Sequence, residues 1–276
     1  MKGAFDFIKI GKLPPKPRNK AILEIRGPYY SSITDEYLKG LLDDWSDYFD
    51  GYKFAGGSFR LLSEKKLKTI INQCHDHDVY VSTGGFIERV LLEGPKIVDE
   101  YFKGCKRVGF DVVEISSGFI PQLKMQDKLA LVKKVKSLGM MPKPEISLMK
   151  GAGGGTHKVG YEEEMVLRDL DEFMDEARMH IKEGVKVIMI ESEGLTEDLP
   201  PEKWRKDVIK KLTDKFGFEP FMFEASDPPV FKWYLKTFGP EVNLFVDWSQ
   251  LVEFNEWRLR MWGDDDIWKG KKIHYP

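Results

Sequence analysis

The sequence predicts an α/β protein that folds as a single (β/α)8 TIM barrel, and three observations support this class. Eight short runs rich in β-branched and aromatic residues recur along the 276 residues, each followed by turn residues. Segments with apolar residues at helical spacing separate these runs. No Pro-, Ser- or Gly-rich stretch divides the chain into two cores. Eight strand-helix repeats in a chain of this length favour a closed barrel over a doubly wound open sheet.

The predicted elements follow one another regularly along the chain. The helical pattern is clearest over 63–77, 94–109, 126–139 and 169–184. Three of these segments close on a glycine, where a left-handed cap is expected: Gly109, Gly139 and Gly184. We divide the chain into an N-terminal arm (1–19), the barrel (20–263) and a C-terminal tail (264–276). The eight strands are predicted at 20–27, 51–57, 78–85, 110–118, 143–148, 185–192, 220–226 and 241–247.

Composition and charge limit the classes of function. Hydrophobic residues make up 42% and charged residues 32% of the chain, which indicates a globular protein with a sizeable core. The 43 basic and 45 acidic side chains give a formal net charge of -2, so no overall field favours nucleic acid or a membrane surface. The sequence shows neither a signal-peptide core nor a run of roughly 20 apolar residues. Two cysteines are too few for a disulfide framework, and we expect a cytoplasmic protein.

Charged residues cluster where the predicted strands end, which is where the chemistry of such barrels gathers. A lone carboxylate there often forms an ion pair or a cap, but four of them that converge repel one another unless a cation or a proton is present. Oxygen ligands favour Mg²⁺, so the pattern predicts a hard-metal site. Lys53 and Arg26 would supply positive charge for an anionic substrate. The strand-end glutamates are Glu114, Glu145, Glu191 and Glu224.

Three shorter motifs give weaker signals. "STGG" at 82–85 and "SSG" at 116–118 follow strands, where backbone N–H groups can bind phosphate, although tight turns explain them equally well. "CHDHD" at 74–78 contains zinc-type side chains but has no second pair of ligands, which argues against a zinc site.

The glycine-rich segment 151–160, "GAGGGTHKVG", follows the fifth predicted strand and so belongs to the mouth of the barrel. It lacks the lysine-serine ending of a P-loop. A mobile lid is the preferred interpretation, ahead of a plain connection and of direct phosphate contact.

The order of several motifs resembles the phosphosulfolactate synthase family, and within it the branch that contains the plant heat-stress-associated proteins. The resemblance runs from about residue 17 to residue 263. Its motifs are "GYKFAGGS", "VYVSTGGFIE", "GFDVVEISSG", "FEAS" and "FGPEVNLFVD".

The resemblance implies a (β/α)8 barrel that adds sulfite to phosphoenolpyruvate with Mg²⁺, on the route to coenzyme M, and it makes a homo-oligomer plausible. By motif position, Lys53 would bind substrate, and Glu114, Glu145 and Glu191 would hold Mg²⁺. Glu224 and Lys150 are the further catalytic candidates. The residues expected to line or support the anion site are Arg26, Gly84, Gly85, Glu88, Ser116 and Gly118.

This chain departs from the family at two strands. The synthases carry "EVGK" on the fifth strand, whereas this chain has a leucine, Leu148, in place of the lysine. Their sixth strand ends in "EGRESG", whereas here Glu193 stands in place of the arginine. Two cations that would suit anionic substrates are therefore missing, and a charge-assisted contact is typically worth about 1.5–3 kcal/mol.

These departures leave three hypotheses. The first is a lyase that uses phosphoenolpyruvate and sulfite or analogues of them. The second is an inactive or altered barrel that acts in heat-stress tolerance through protein contacts. The third is an enzyme with a changed substrate, in which other cations replace the lost ones; the candidates are Arg26, Lys143, Lys150, His157 and Lys158.

Overall fold

The computed structural model describes residues 4–28, 32–118, 123–152, 166–197 and 199–263, and Lys272. Eight parallel strands form a closed barrel in chain order, and the last strand pairs with the first. This confirms the predicted (β/α)8 class. The strands are β1 (Leu23–Arg26), β2 (Gly51–Lys53), β3 (Tyr80–Ser82), β4 (Val112–Ile115), β5 (Met141–Ile146), β6 (Ile188–Ile190), β7 (Phe221–Glu224) and β8 (Asn243–Asp247).

Helices follow the strands on the outside of the barrel. Gly109, Gly139 and Gly184 all have positive φ angles just beyond a helix, as predicted from the sequence. The Asp169 side chain caps the sixth helix by accepting hydrogen bonds from the N–H groups of Asp171 and Glu172. The helices are α1 (Asp35–Trp45), α2 (Glu64–His75), α3 (Ile87–Leu91), α4 (Pro95–Val108), α5 (Met125–Ser137), α6 (Leu170–Lys182), α7 (Lys206–Phe216), α8 (Pro228–Phe238) and α9 (Leu251–Arg258).

Strand alternation divides the core into two layers. Outward side chains such as Ile25, Val113 and Ile190 pack against the helices in one large apolar cluster. A smaller apolar cluster, which includes Met189, Met222 and Phe245, fills the interior of the barrel. The inward positions nearer the carboxyl ends of the strands carry charged side chains instead, and they form the site described below.

The predicted N-terminal arm is fixed to the barrel over its second half. The Gly11 N–H donates to the Leu259 carbonyl at 2.7 Å. The Arg18 guanidinium pairs with Asp50 at 2.9 Å, and the same carboxylate accepts from the backbone N–H of Leu23 at 2.8 Å. Residues 11–19 therefore cover the amino-terminal end of the barrel.

Across the described residues, no helix has both the length and the apolar character needed to cross a membrane. Near the other end of the chain, the Trp262 side chain is 64% exposed. Most of the predicted tail, 264–276, lies outside the described residues.

Candidate functional site

Alternating charges line the barrel interior from its middle to its mouth. The Lys143 ammonium on β5 hydrogen-bonds to Glu24 on β1 and lies 3.3 Å from the Glu114 carboxylate on β4. The Lys53 ammonium on β2 lies 2.7 Å from the same Glu114 oxygen and 3.6 Å from Glu145 on β5. Glu114 thus contacts both lysines, with Lys143 towards the interior of the barrel and Lys53 towards its mouth.

Lys143 is the deeper of the two lysines. Its side chain is 1% exposed and lies between two carboxylates, so it cannot reach a ligand at the mouth. Leu148, which by motif position stands where we expect the family lysine, packs in the outer apolar layer. Lys143 therefore balances buried negative charge and does not replace the missing lysine as a direct substrate contact.

Lys53 reaches closer to the mouth and remains protonated. Burial opposes its charge, but the carboxylates of Glu114 and Glu145, with smaller contributions from Glu224 and Glu24, raise its pKa above the ordinary value. Its ammonium also lies 4.4 Å from the centroid of the Phe245 ring, a cation–π contact. Lys53 is thus a permanent positive charge in a nearly dry site.

Two carboxylates of the mouth, Glu145 and Glu191, lie close to other carboxylates. Burial and the Glu114 charge raise the pKa of Glu145 well above its ordinary value, although Lys53 opposes this. Burial and the Glu224 charge do the same for the pKa of Glu191, which in its protonated form donates a hydrogen bond to Glu224. These two side chains therefore bind a proton more strongly than an exposed glutamate does, and a cation beside them would favour their charged forms.

The predicted metal ligands do not form a three-carboxylate set. In the part of the chain that the structure describes, no group of three or more His, Cys, Asp or Glu side chains is arranged to hold a metal ion. Glu114 is a poor candidate for a metal ligand because its carboxylate already pairs with Lys53 and Lys143. Glu145, Glu191 and Glu224 remain as oxygen donors, and Mg²⁺ commonly needs only one or two carboxylates with water and substrate oxygens.

Arg26 lies on the rim, one inward position above Glu24 on β1. Its guanidinium pairs with Asp247, the last residue of β8, at 3.0 Å. This charge is therefore partly neutralised within the barrel, and contact with a substrate stays a prediction.

The glycines of the two turn motifs allow neighbouring loops to approach closely. A Cβ atom on Gly84 would lie 2.5 Å from the Phe54 carbonyl oxygen, and one on Gly118 would lie 1.8 Å from the Ala152 carbonyl oxygen. Gly85 lies beside Ser116, whose hydroxyl donates to the Gly85 carbonyl at 3.4 Å. These contacts explain the small residues by packing, and an anion contact there stays a prediction.

Glu88, expected to support the anion site, connects two of these loops. It is buried on α3 and accepts a hydrogen bond from the Gly118 N–H at 3.0 Å. Its role in the structure is to hold the loop after β4 near the loop after β3.

The glycine-rich segment lies between two short stretches of chain, 148–150 and 166–168, that pair antiparallel to each other. We call this pairing the stem. The N–H of Lys150 donates to the Val166 carbonyl and that of Arg168 donates to the Leu148 carbonyl, both at 2.8 Å. His157 and Lys158 lie outside the described residues, and the predicted lid is not tested. The stem places exposed Lys150 at the edge of the mouth.

A cavity of about 620 Å³ opens beside Glu145 and extends between α5 and α6. Its volume is in the range usual for small-molecule sites. Apolar residues, including Met125, Met149 and Met179, alternate with charged ones along its wall. Among the charged lining residues are Glu145, Lys150, Lys128, Arg168 and Glu176.

Reasoning from sequence missed several residues of the site, and Glu24 and Arg168 show why. Glu24 lies two residues before Arg26, and strand alternation would have placed both on the inward face. Arg168 follows a segment with no periodic pattern, so no local signal marks it as part of the mouth.

The side chains of the "CHDHD" motif have separate surroundings in the structure. Cys74 is buried on the inner face of α2, and His75 lies 2.7 Å from Asp111. His77 lies 3.4 Å from Asp43. The two histidines therefore contact different carboxylates.

Comparison with known protein families gives a match over nearly the whole chain. The sequence model of the (2R)-phospho-3-sulfolactate synthase (ComA) family matches residues 11–264.

Individual relatives cover similar lengths. Protein HEAT-STRESS-ASSOCIATED 32 of Arabidopsis thaliana is 31% identical over 261 residues, which are 91% of this chain and 90% of that protein. Phosphosulfolactate synthase of Methanothermobacter thermautotrophicus is 26% identical over 250 residues, 87% of this chain and 88% of that protein. The same enzyme of Methanocaldococcus jannaschii is 23% identical over 234 residues, 84% and 89% of the two chains.

Solved structures that are similar in shape share only the fold. The carboxyl transferase domain of Rhizobium etli pyruvate carboxylase with oxalate has a TM-score of 0.55 and 13% identity, covering 86% of this chain and 43% of that chain. N-acetylneuraminate lyase of Mycoplasma synoviae has a TM-score of 0.50 and 13% identity, covering 94% and 75%. At such identities the likeness supports the barrel architecture alone.

Proposed function

Because the chain belongs to the (2R)-phospho-3-sulfolactate synthase family, we propose that it is a Mg²⁺-dependent lyase that adds sulfite to phosphoenolpyruvate at the mouth of the barrel. The observation that carries this proposal is the buried cluster in which a charged Lys53 adjoins Glu145, a carboxylate of raised pKa. Such a cluster suits a reaction that develops negative charge on a small anionic substrate.

The proposed reaction has two steps. The sulfur lone pair of sulfite forms a C–S bond to the methylene carbon of phosphoenolpyruvate, and the π electrons of the C=C bond move onto the carboxylate as an enediolate. A proton then reaches the carbon that bears the phosphate ester, whose P–O bond remains intact. The product is phosphosulfolactate.

Each step has a candidate residue at the mouth. The Lys53 ammonium, held by Glu114, would stabilise the enediolate by its fixed positive charge. Glu224 would deliver the proton that it shares with Glu191, which gives up that proton when it holds the ion. Lys150, exposed at the edge of the same cavity as Glu145, would contribute a further positive charge to substrate binding.

The oxygen donors fit a bound Mg²⁺ by their chemistry and because Glu145 and Glu191 lie close to other carboxylates. Glu145 and Glu191 would hold the ion, because burial and neighbouring carboxylates disfavour their charged forms when no cation is near. A bound Mg²⁺ would supply Lewis-acid stabilisation of the substrate carboxylate.

The decisive experiment incubates the purified chain with Mg²⁺, phosphoenolpyruvate and sulfite and follows sulfite loss and phosphosulfolactate formation. We expect product, and we expect Lys53→Ala to reduce its rate by about 10- to 100-fold, the scale of losing one charge-assisted contact. Lys210→Ala, which alters an exposed i,i+4 ion pair with Asp214, is the matched control and should keep the rate. Absence of product at high enzyme concentration would exclude the synthase reaction.

The relative named HEAT-STRESS-ASSOCIATED 32 supports the second candidate, a barrel with a role in heat-stress tolerance. The two candidates differ in the Lys53 experiment. Suppose that the chain makes no product and that disruption of its gene lowers heat tolerance. If the Lys53→Ala form then restores tolerance as well as the unmodified chain does, the tolerance role stands without the reaction. The links to coenzyme M and to the cytoplasm stay predictions.

A further inference from the structure

One buried carboxylate in the wall of the cavity holds two cations. Glu176 on α6 accepts from the Lys128 ammonium of α5 at 2.5 Å and from the Arg168 guanidinium at 2.7 Å. Glu176 is 5% exposed, whereas the side chains of Lys128 and Arg168 are partly exposed. All three residues line the cavity that begins at Glu145.

The local charge of this group is positive. Burial alone would raise the pKa of Glu176, but His180, whose Nε2 lies 3.9 Å away, and the charges of Lys128 and Arg168 lower it to about 2. Glu176 is therefore a single negative charge between two positive ones. The acids Glu172 and Asp175 also border the cavity, but both are exposed, and Asp175 accepts from Arg178 at 2.8 Å.

Arg168 retains donors for a ligand. One of its terminal nitrogens donates to the Ser147 carbonyl at 3.1 Å, and the other pairs with Glu176. A guanidinium has five N–H donors in a fixed plane, so these contacts orient the group and leave further donors for an oxyanion. Ser147 is two residues after Glu145 on the same inward face, so the cation stands beside the carboxylate cluster.

We propose that Lys128 and Arg168, held in place by Glu176, form an oxyanion-binding subsite for the phosphate or sulfo group of the substrate. The subsite supplies positive charge that the fifth and sixth strands lack in this chain. It rests on the proposed function only for the identity of the anion, since the geometry suits any small group with two or three charged oxygens.

The test measures binding of inorganic phosphate and of sulfite separately by calorimetry, with no catalysis required. We expect Arg168→Met and Lys128→Met each to weaken binding of at least one anion about tenfold or more, the effect of one lost charge-assisted hydrogen bond. Loss of phosphate binding alone assigns the subsite to the phosphate group, and loss of sulfite binding alone assigns it to the sulfo group.

Two controls make the result specific. Lys133→Met removes an exposed cation of α5 outside the cavity lining, and Lys210→Met does so on α7; both should bind as the unmodified chain does. Circular dichroism checks folding, and if Arg168→Met unfolds, Lys128→Met carries the test. Unchanged binding in the folded variants, or no binding of either anion by the unmodified chain, overturns the subsite. If anion binding depends on Arg168 but the chain forms no phosphosulfolactate, the subsite stands and the synthase reaction is excluded.

Discussion

At the scale of single residues, the pairing of Lys143 with Glu24 has consequences that can be measured. Both side chains are almost fully buried. Lys143→Met would leave Glu24 and one side of Glu114 without a cation, and breaking a buried pair typically costs about 3–5 kcal/mol. We expect a loss of that size in the free energy of unfolding, measured with urea. Lys39→Met, at an exposed pair with Asp43, should change it little.

The double variant Glu24→Gln/Lys143→Met tests whether Lys143 stabilises the fold by neutralising the Glu24 carboxylate. Removing both charges should recover much of the lost stability, since a neutral amide replaces the unpaired carboxylate. If the double variant is no more stable than Lys143→Met, Lys143 does not act through Glu24.

The raised pKa values of Glu145 and Glu191 predict how pH and Mg²⁺ act together. Each of these acids has a pKa in the folded chain above its value in the unfolded chain, which is near 4.5. Its protonated form therefore stabilises the fold at low pH, and this stabilisation is lost as pH rises from about 4.5 towards the folded pKa. The melting temperature of the metal-free chain should therefore fall from about pH 5 to about pH 8, and Mg²⁺ should raise it most at the alkaline end.

Glu191→Gln is the variant that checks this coupling. It should flatten the fall in melting temperature and remove most of the gain from Mg²⁺, whereas Glu253→Gln, on the exposed face of α9, should change neither. An equal Mg²⁺ effect at both pH values, or one that persists in Glu191→Gln, would contradict a metal site at these carboxylates.

The sequence predicts which residue types gather at the mouth but not how they pair. Their positions near the carboxyl ends of predicted strands were enough to place Lys53, Glu114, Glu145 and Glu224 at the mouth of the barrel. The pairing depends on side-chain length and on which strands are neighbours across the interior, as when Lys143 of β5 reaches Glu24 of β1. Such contacts join residues more than a hundred positions apart, and no local pattern records them.

At the scale of elements, Gly118 is the position where a small change should have a large effect. A Cβ atom there would overlap the Ala152 carbonyl oxygen, and the Gly118 N–H also holds Glu88. We expect Gly118→Ala to separate the loop after β4 from the loop after β5 and to lower the melting temperature by several degrees, on the order of 1–3 kcal/mol of overpacking.

Gly104→Ala is the matched control for this effect. Gly104 lies within α4 with open space where the Cβ atom of an alanine would lie, so this substitution should leave stability unchanged or raise it through better helix propensity. Equal melting temperatures for Gly118→Ala and the unmodified chain would show that the two loops do not depend on each other.

The strands and the four clearest helices were predictable because each has a strong period and a recognisable end, as at Gly109 and Gly184. Strand ends were less predictable. The fifth strand begins at Met141, two residues before its predicted start. Pro142 and Pro144 lie within it, and because proline is uncommon inside strands the sequence did not mark this start. The stem could not be predicted, since it pairs segments on either side of a glycine-rich run.

At the scale of the whole molecule, Arg18 connects the N-terminal arm to the barrel. Both it and Asp50 are largely buried, and Asp50 also holds the start of β1. Arg18→Met should therefore lower the free energy of unfolding by about 3–5 kcal/mol. Lys20→Met, at the exposed pair with Glu241, is the control and should have little effect. A small effect of Arg18→Met would mean that the arm is not part of the folded unit.

Several large apolar side chains near the two ends of the described chain face solvent. Phe5 and Phe7 are 71% and 77% exposed, and Trp262 is also exposed. A homo-oligomer that covers them stays a prediction, which sedimentation of the unmodified chain and of Phe5→Ser/Phe7→Ser would check. Barrel closure itself followed from counting eight repeats, whereas assembly depends on surfaces that no repeat specifies.

The stem also bears on how this protein could diversify. Because Met149 and Leu167 already pair, the chain enters and leaves the intervening segment at two adjacent points. Replacing or lengthening that segment adds little loop-closure entropy and leaves the strands undisturbed. New substrate preferences could therefore arise by exchange of this one segment, with the barrel inherited intact beneath it.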